Sequence, residues 1–256
     1  MSVNKFEDET IQHISIILII IFVLRKLFGI KPVEVDKLDS QVSSQSPVEV
    51  STQNNHNTKS RGAISHYTIV DLRQGTQEWL GWRNQGIGAS DAPIIMGENP
   101  WKNAANLLRE KCGMQVNFRN QKMERGIALE PDARKSYEKK VGVRVNPACL
   151  QSTEHTWQRA SVDGLAGDGS IVVEIKCGES VYRKASTSRA VPNYYYGQLQ
   201  HILAVTHLSV IDFYCYLPGL PAVHLRIPRD DQYIKRLLNA EYLFWQEILK
   251  TKKEMI

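Results

Sequence analysis

Residues 163–176 constrain the fold of this chain more than any other stretch. They read DGLAGDGSIVVEIK, and Asp168-Gly169 is the dipeptide most typical of a two-residue hairpin turn. A turn at that position pairs Leu165 with Val172. The apolar residues that follow the turn are β-branched, which favours a strand. The stretch therefore predicts a β-hairpin with a defined register.

Two carboxylates face each other in this hairpin. The register places Asp163 opposite Glu174, roughly 5 Å apart, and the alternation of side chains along a strand places Lys176 on the same face as Glu174. Like charges in this position destabilise a strand pair. A hard divalent cation prefers carboxylate oxygens and would offset the repulsion. The hairpin therefore predicts a metal site, and an exposed hairpin with its charges in solvent is the alternative.

The charge and cysteine content of the chain narrow the class of protein. The net charge is +5, and residues 1–66 hold seven basic and seven acidic residues, so the whole excess lies in the remaining 190 residues. This agrees with a nucleic-acid substrate without establishing one. The four cysteines have no zinc or iron–sulphur spacing, and free thiols in a reducing compartment are expected.

Residues 11–30 predict a hydrophobic helix within an N-terminal segment, 1–39. The apolar run ISIILIIIFVL is short against the roughly 20 residues that span a bilayer. Extension to Ile11, with Arg25 and Lys26 reaching the interface, makes a single span feasible. Basic residues after the helix would then favour a cytosolic C-terminal domain. A helix docked on the domain or on a partner is the alternative.

A flexible polar linker (40–66) and an α/β domain (67–256) follow. The linker is rich in Ser, Gln, Asn and Thr and cannot bury enough apolar surface to fold alone. In the domain, Thr76 is expected to cap a short helix that ends near Gly86, and Ser90 to cap the next. The other predicted elements are helices over 103–112, 124–140 and 194–206, a second hairpin of 209–217 and 222–228, and a C-terminal amphipathic helix.

Four segments of the chain carry a resemblance to a known family, at 75–91, 125–134, 163–176 and 194–206. Residues 75–91 read GTQEWLGWRNQGIGASD, which resembles the N-terminal signature of the YqaJ-type viral recombinase nucleases, the lambda-exonuclease type. The spacing of Asp163, Glu174 and Lys176 resembles the PD-(D/E)XK motif of restriction-endonuclease-like nucleases. The resemblance covers about residues 75–217. It implies an α/β fold, with a restriction-endonuclease-like mixed sheet flanked by helices.

The resemblance assigns substrate-binding residues. In the family, the residues that match Arg83 and Ser90 hold the 5′-phosphate of a DNA end, and Tyr195 matches a family Tyr. A capping Ser at a helix N-terminus suits a phosphate. Gly88 stands where the family has Thr, so one hydroxyl contact is absent, and Thr153 stands where some members have a further acidic residue.

The resemblance also assigns catalytic and metal-binding residues. Glu130 matches the acidic residue of a family helix, and Gln198 matches a helical Gln behind the active site. Asp163, Glu174, Glu130 and the backbone carbonyl of Ile175 are expected to bind one or two Mg²⁺ ions, for which Mn²⁺ can substitute. Lys176 is expected to position or deprotonate the attacking water, with a pKa lowered by the cations.

The implied function is a Mg²⁺-dependent deoxyribonuclease that degrades linear double-stranded DNA 5′→3′. The 3′ overhang would serve a single-strand annealing protein, and relatives form a homotrimer. The alternatives are an endonuclease or nickase on the same fold, a nuclease that acts on RNA, and a membrane-tethered protein that binds DNA ends without cutting. The expected location is a membrane anchor with the nuclease in the cytosol, and otherwise the cytoplasm or a viral replication site.

Overall fold

A mixed sheet of seven strands is the framework of the part of the chain that the structure, a computed structural model, describes: residues 65–114 and 121–255. The strand order is β1-β3-β4-β5-β6-β7, with β2 paired to β4. The β2–β4 and β5–β6 pairs are parallel and the others are antiparallel. The strands are β1 (Tyr67–Val70), β2 (Ile87–Gly88), β3 (Val145–Ser152), β4 (Gln158–Ala166), β5 (Val172–Lys176), β6 (Val210–Cys215) and β7 (Val223–Pro228).

Helices cover both faces of the sheet, as the mixed α/β prediction requires. One face packs Val172 and Phe213 against α5, α6 and α7. The other packs Val173 against Ala133 and Tyr137 of α4. The helices are α1 (Gln77–Asn84), α2 (Ala92–Ile95), α3 (Ala104–Lys111), α4 (Gln121–Val141), α5 (Glu179–Ser188), α6 (Asn193–Thr206) and α7 (Asp231–Glu254), with a 3₁₀ turn at Ala89–Asp91.

The β4–β5 hairpin has the predicted register and a different turn. Leu165 pairs with Val172 as expected. The turn is not the two residues Asp168-Gly169, because the Gly169 N–H donates to the Ala166 carbonyl and pairing resumes only between Ala166 and Ile171. Gly169 adopts a φ of 73°, which favours glycine. The longer loop leaves the register unchanged because it adds residues on both sides of the turn.

A β-bulge in β4 precedes the hairpin pairs. The partners pass from Ala148↔Val162 to Asn146↔Leu165, so β4 holds one residue more than β3 there. The bulge contains Asp163 and Gly164. A Cβ on Gly164 would lie 2.6 Å from Val145 and 2.7 Å from Val173, so only glycine fits. A β-bulge changes the direction in which side chains point. This bulge points the Asp163 side chain towards the end of the β4–β5 ladder.

The predicted N-terminal segment, 1–39, and almost all of the linker, 40–66, lie outside the described residues. The hydrophobic helix expected at about 11–30 is among them and stays a prediction, as do the domain boundaries. Within 65–114 and 121–255, no helix is both long and apolar enough to cross a membrane.

Candidate active site

A cleft of about 150 Å³ lies where α1, the 3₁₀ turn, β4, β5 and α6 meet. It brings together five of the predicted site residues, which come from positions as far apart in the chain as 83 and 198. Two groups of side chains border it. The cleft is lined by Gln74, Trp79, Trp82, Arg83, Gly88, Ala89, Ser90, Arg159, Ser161, Asp163, Glu174 and Gln198.

Glu174 is the most constrained carboxylate of the cleft. It is 2% exposed. Its Oε1 accepts hydrogen bonds from Lys176 Nζ and, at 2.6 Å, from Gln198 Nε2. Its Oε2 is buried and has no hydrogen-bond partner among the described residues. Burial, and then the charge of Asp163, raise the pKa of Glu174 to about 7. The carboxylate therefore offers one free oxygen in a place that disfavours its charge.

The Asp163 carboxylate takes the place of a backbone carbonyl as the acceptor for a strand N–H. Its Oδ2 accepts a hydrogen bond of 2.7 Å from the Ile175 N–H, and burial raises its pKa. The Lys176 carbonyl accepts from Tyr216 N on the β6 side. Because successive carbonyls of a strand point in opposite directions, the Ile175 carbonyl points towards β4 and Asp163. The structure thus directs three of the predicted metal-binding groups to one region.

Glu130 approaches the same region from α4. It is partly buried, and burial followed by the charge of Asp163 raises its pKa to about 7. Glu130, Asp163 and Glu174 do not bring three ligand oxygens within 4.8 Å of one another. The three carboxylates are therefore near one another without all lying within ligand distance. We call these three residues the acidic cluster.

The acidic cluster fits a divalent cation on its own chemistry. Three carboxylates raise the local negative charge, and one buried oxygen, Glu174 Oε2, lacks a donor. Buried polar atoms without a partner are rare in folded proteins. A cation bound by carboxylate oxygens would satisfy that atom and reverse the repulsion. The site-residue assignments themselves stay predictions.

The pKa of Lys176 depends on the carboxylates around it. Burial alone would lower the pKa, but the charges of Glu174, Tyr195 and Asp163 outweigh it and raise the pKa above its ordinary value. Lys176 Nζ also lies 4.8 Å from the centre of the Tyr195 ring. The chain's own residues therefore favour the ammonium form, and the lowering of the pKa by bound cations stays a prediction.

Tyr195 and Gln198 act on other side chains. Tyr195, predicted to bind substrate, does not line the cleft and instead packs beneath Lys176 and against Phe213. Gln198, predicted to lie on a helix behind the active site, donates from its side-chain amide to Glu174. Both residues therefore orient charged groups of the site.

Arg83 and Ser90 lie together on the other border of the cleft. Arg83 Nη2 donates to Ser90 Oγ and lies 3.8 Å from Asp91 Oδ1. The prediction that Ser90 caps a helix is wrong, because Ser90 lies inside the 3₁₀ turn. The carboxylate of Asp91, and not the Ser90 hydroxyl, accepts the Gly88 N–H at 2.9 Å. Ser90 Oγ is therefore free to accept the hydrogen bond from Arg83.

A buried ion pair supports this arrangement, and the sequence analysis did not predict it. Lys111 Nζ lies 2.6 Å from Asp91 Oδ2. It also donates to the carbonyls of Arg83 and Gly86. Burial would raise the pKa of Asp91, but the charges of Lys111 and Arg83 outweigh it and hold the pKa below its usual range. No local motif marks Lys111, which comes from a different helix.

Arg159 and Ser161 are two further cleft residues that the sequence analysis did not single out. Both line the cleft, on the same strand as Asp163. A signal was present, since Ala160 and Val162 are buried in the core and the residues that alternate with them face away from it. We call Arg83, Lys111 and Arg159 the cationic cluster.

The histidines within 65–114 and 121–255 lie outside this cleft. His201 is fully buried and bonds Glu241 and the Arg159 carbonyl, which agrees with a structural role. His207 lies with His66 and Glu154 so that their ligand atoms are within 4.8 Å. The two imidazole rings are parallel, with centroids 3.8 Å apart. Lone pairs in parallel planes do not converge on one ion, and we assign no metal to this trio.

Comparison with solved structures gives the class of protein. The alkaline exonuclease LHK-Exo of Laribacter hongkongensis superposes with a TM-score of 0.63 at 26% identity, over 70% of this chain and 96% of that chain. The same enzyme is also known in complex with dAMP, with the same score and coverage. The α/β core with its flanking helices is thus a nuclease fold.

Comparison of sequences gives the family. The family model of the YqaJ-like viral recombinase domain matches residues 78–209, which are 132 of the 256 residues. This chain belongs to that family.

Two relatives extend the comparison. The protein YqaJ of Bacillus subtilis (strain 168) is 33% identical over 177 residues, which are 66% of this chain and 55% of that protein. The protein R354 of Acanthamoeba polyphaga mimivirus is 28% identical over 162 residues, which are 57% of this chain and 29% of that protein. The chain therefore spans about half of one relative and less than a third of the other.

Proposed function

We propose that this protein is a divalent-metal-dependent deoxyribonuclease that degrades linear double-stranded DNA from its 5′ end and leaves 3′ overhangs. One observation carries the proposal. A single cleft is bordered both by carboxylates with an unsatisfied oxygen and by a guanidinium paired with a hydroxyl. The first arrangement suits a cation and the second an anion. A DNA end with its 5′-phosphate at the guanidinium, and a metal ion between the carboxylates and the scissile phosphodiester, would supply these charges together.

The metal is proposed to be Mg²⁺, with Mn²⁺ as a substitute. Asp163, Glu174 and the Ile175 carbonyl would hold it, and Glu130 would join them. When bound, such an ion lowers the pKa of water and stabilises negative charge on the phosphate. The ligand chemistry of the acidic cluster supports Mg²⁺, because all of the metal-binding atoms are oxygens.

The protein's own residues orient the reacting groups. Gln198 and Lys176 fix Glu174 Oε1 from two directions, so that Oε2 keeps one orientation. Lys176, which contacts Glu174, would position or deprotonate the attacking water. Arg83 and Ser90 would hold the 5′-phosphate, which sets where cutting begins. The structural relative, an alkaline exonuclease, supports an exonuclease over an endonuclease.

The test is cleavage by the purified full chain of end-labelled linear duplexes and of a covalently closed circle, with Mg²⁺ and then with EDTA. We expect loss of the linear duplex from its 5′ ends with Mg²⁺, no cutting with EDTA, and an intact circle. Asp163→Asn should abolish cutting, whereas Glu247→Gln, on the exposed face of α7, should not. A nicked circle would favour an endonuclease, and equal cutting in EDTA would refute the proposal.

Further parts of the proposal concern partners and location. The overhang would serve a single-strand annealing protein, and the resemblance to lambda-type exonucleases suggests a homotrimer, which light scattering of the purified chain would test. Attachment to a membrane, with the nuclease in the cytosol, is proposed from residues 11–30. Carbonate extraction of the full chain tests it, since complete release into the soluble fraction would end it.

A further inference from the structure

Arg159 is a buried cation without a carboxylate partner among the described residues. It is 8% exposed. Its Nη1 donates to the Trp82 carbonyl, and its guanidinium carbon lies 5.1 Å from the centre of the Trp82 ring. Its Nε is buried without a hydrogen-bond partner. Burial lowers its pKa, which shows that the site disfavours the charge.

Lys111 shows what a purely structural cation looks like in the same place. Both side chains donate to carbonyls at or just beyond the end of α1. Burial lowers the pKa of Lys111 as it does that of Arg159. Lys111 differs in having the carboxylate of Asp91 at 2.6 Å, which offsets part of the cost of its buried charge. Arg159 has one carbonyl and one indole ring in place of a counter-ion. A buried charge without a counter-ion is costly, and an anion from outside the protein would relieve that cost.

The side chain of Arg159 is also fixed in advance. A Cβ on Gly86 would lie 2.9 Å from both Cδ and Nε of Arg159, so the absence of a side chain there makes room for it. Trp82 covers its other side. Nη2 makes no hydrogen bond to the described residues and, unlike Nε, is not among the buried atoms without a partner. This leaves Nη2 as the donor open to the cleft.

We propose that Arg159 is a second guanidinium that binds the terminal 5′-phosphate, together with Arg83. This deepens the proposed function and rests on it. Arg159, Arg83 and Ser90 line one cleft, on which the acidic cluster also borders. A phosphate monoester carries more negative charge than a diester within the strand, and two guanidinium groups match it. Arg159 thereby contributes to the choice of phosphorylated ends over hydroxyl ends.

The test compares affinities of the full chain for blunt duplexes that carry either a 5′-phosphate or a 5′-hydroxyl, by fluorescence anisotropy in EDTA, where nothing is cut. Arg159→Gln should weaken binding of the phosphorylated duplex about tenfold, as expected for a charge-assisted hydrogen bond. Binding of the hydroxyl duplex should change less than about twofold. Arg109→Gln, which removes an exposed arginine of α3, should change neither.

Arg159→Lys separates a binding role from a structural one. The lysine keeps a cation at the end of α1 but lacks the second donor, so it should fold and still lose about threefold of the phosphate preference. Full preference in Arg159→Lys, an equal loss for both duplexes in Arg159→Gln, or no preference in the wild type would overturn the inference. Cutting with Mg²⁺ is measured in parallel. A wild-type protein that binds phosphorylated ends but cuts nothing refutes the proposed function alone.

Discussion

Members of the acidic and cationic clusters line one cleft, and the two clusters differ in how their charges are supported. In the cationic cluster, Lys111 and Asp91 form a buried ion pair that supports Arg83, and the pKa of Asp91 is held below its usual range. In the acidic cluster, Glu174 and Glu130 have pKa values raised to about 7 by burial and by Asp163. The Lys111–Asp91 pair is a charge-balanced support, whereas Arg159 and the carboxylates of the acidic cluster carry charge that the protein does not balance.

This difference indicates which parts serve stability and which serve function. A satisfied ion pair rigidifies its surroundings but offers nothing to a ligand. Carboxylates with raised pKa values and a free oxygen reduce the stability of the folded state and are retained at sites that bind or react. Loss of a charge should therefore lower the unfolding free energy at the Lys111–Asp91 pair, whereas in the acidic cluster it should lower the rate of cutting and not the stability.

The largest expected effect is on catalysis, from Glu174→Gln. The amide keeps the shape and loses the metal-binding charge, so cutting of end-labelled duplex with Mg²⁺ should fall about a thousandfold or more. The melting temperature in EDTA at pH 8 should not fall, because the substitution removes a disfavoured buried charge. A variant that melts well below the wild type would show that Glu174 supports the fold instead.

Lys111→Met should have the opposite signature. It leaves Asp91 buried without its cation, which costs on the order of 3 kcal/mol of unfolding free energy. Urea titration followed by circular dichroism measures it. Adding Asp91→Asn, which keeps an acceptor for the Gly88 N–H, should recover part of the loss. If the double variant is as unstable as the sum of the single ones, the two residues do not form a coupled pair.

The hairpin shows how much of the site local sequence could predict. Alternation and a turn dipeptide were sufficient for the register of Leu165 with Val172, because register depends on neighbours in the chain. The exact turn was missed, since the loop extends to Ser170, whose N–H donates to Asp168. The bulge at Asp163 was also missed, because it exists only relative to β3.

The cationic cluster shows what local sequence could not predict. Thr76 was correctly expected to cap α1, since that bond spans three residues. The support of Arg83 by Lys111 crosses 28 positions and depends on how α3 packs. Ser90 had the residue type of a cap, but it lies inside the 3₁₀ turn, and the neighbouring Asp91 carboxylate accepts the N–H of Gly88 at the start of that turn. Competition between adjacent side chains is decided by tertiary contacts.

A third prediction concerns pH and metal. The folded pKa of Glu174 is about 7 and its ordinary value is 4.5. Between these values the folded protein holds a proton that the unfolded chain has released, so stability falls as pH rises. In EDTA, Glu174 alone should lower the unfolding free energy by on the order of 2 kcal/mol from pH 5.5 to 8, and Glu130, whose pKa is also raised to about 7, shifts it in the same direction.

Mg²⁺ should reverse this trend, because a cation binds the ionised carboxylates of the folded state and its stabilising effect grows as pH rises. Melting curves at several pH values, with EDTA and with Mg²⁺, test both statements. Glu174→Gln should flatten the slope in EDTA. An unchanged slope in that variant would remove Glu174 as its source.

The smallest expected effect concerns Arg83, whose side chain is the more exposed of the two guanidinium groups that line the cleft. Arg83→Gln should reduce the preference for phosphorylated over hydroxyl ends about tenfold, while cutting of hydroxyl ends by the metal site continues. Ser90→Ala removes only a neutral partner of Arg83 and should reduce the preference about threefold. Initial rates on the two duplexes measure both. An equal loss on both ends would mean that the cationic cluster supports the whole cleft and does not select its substrate. The assignment of end recognition to the cationic cluster and of cutting to the acidic cluster would then be wrong.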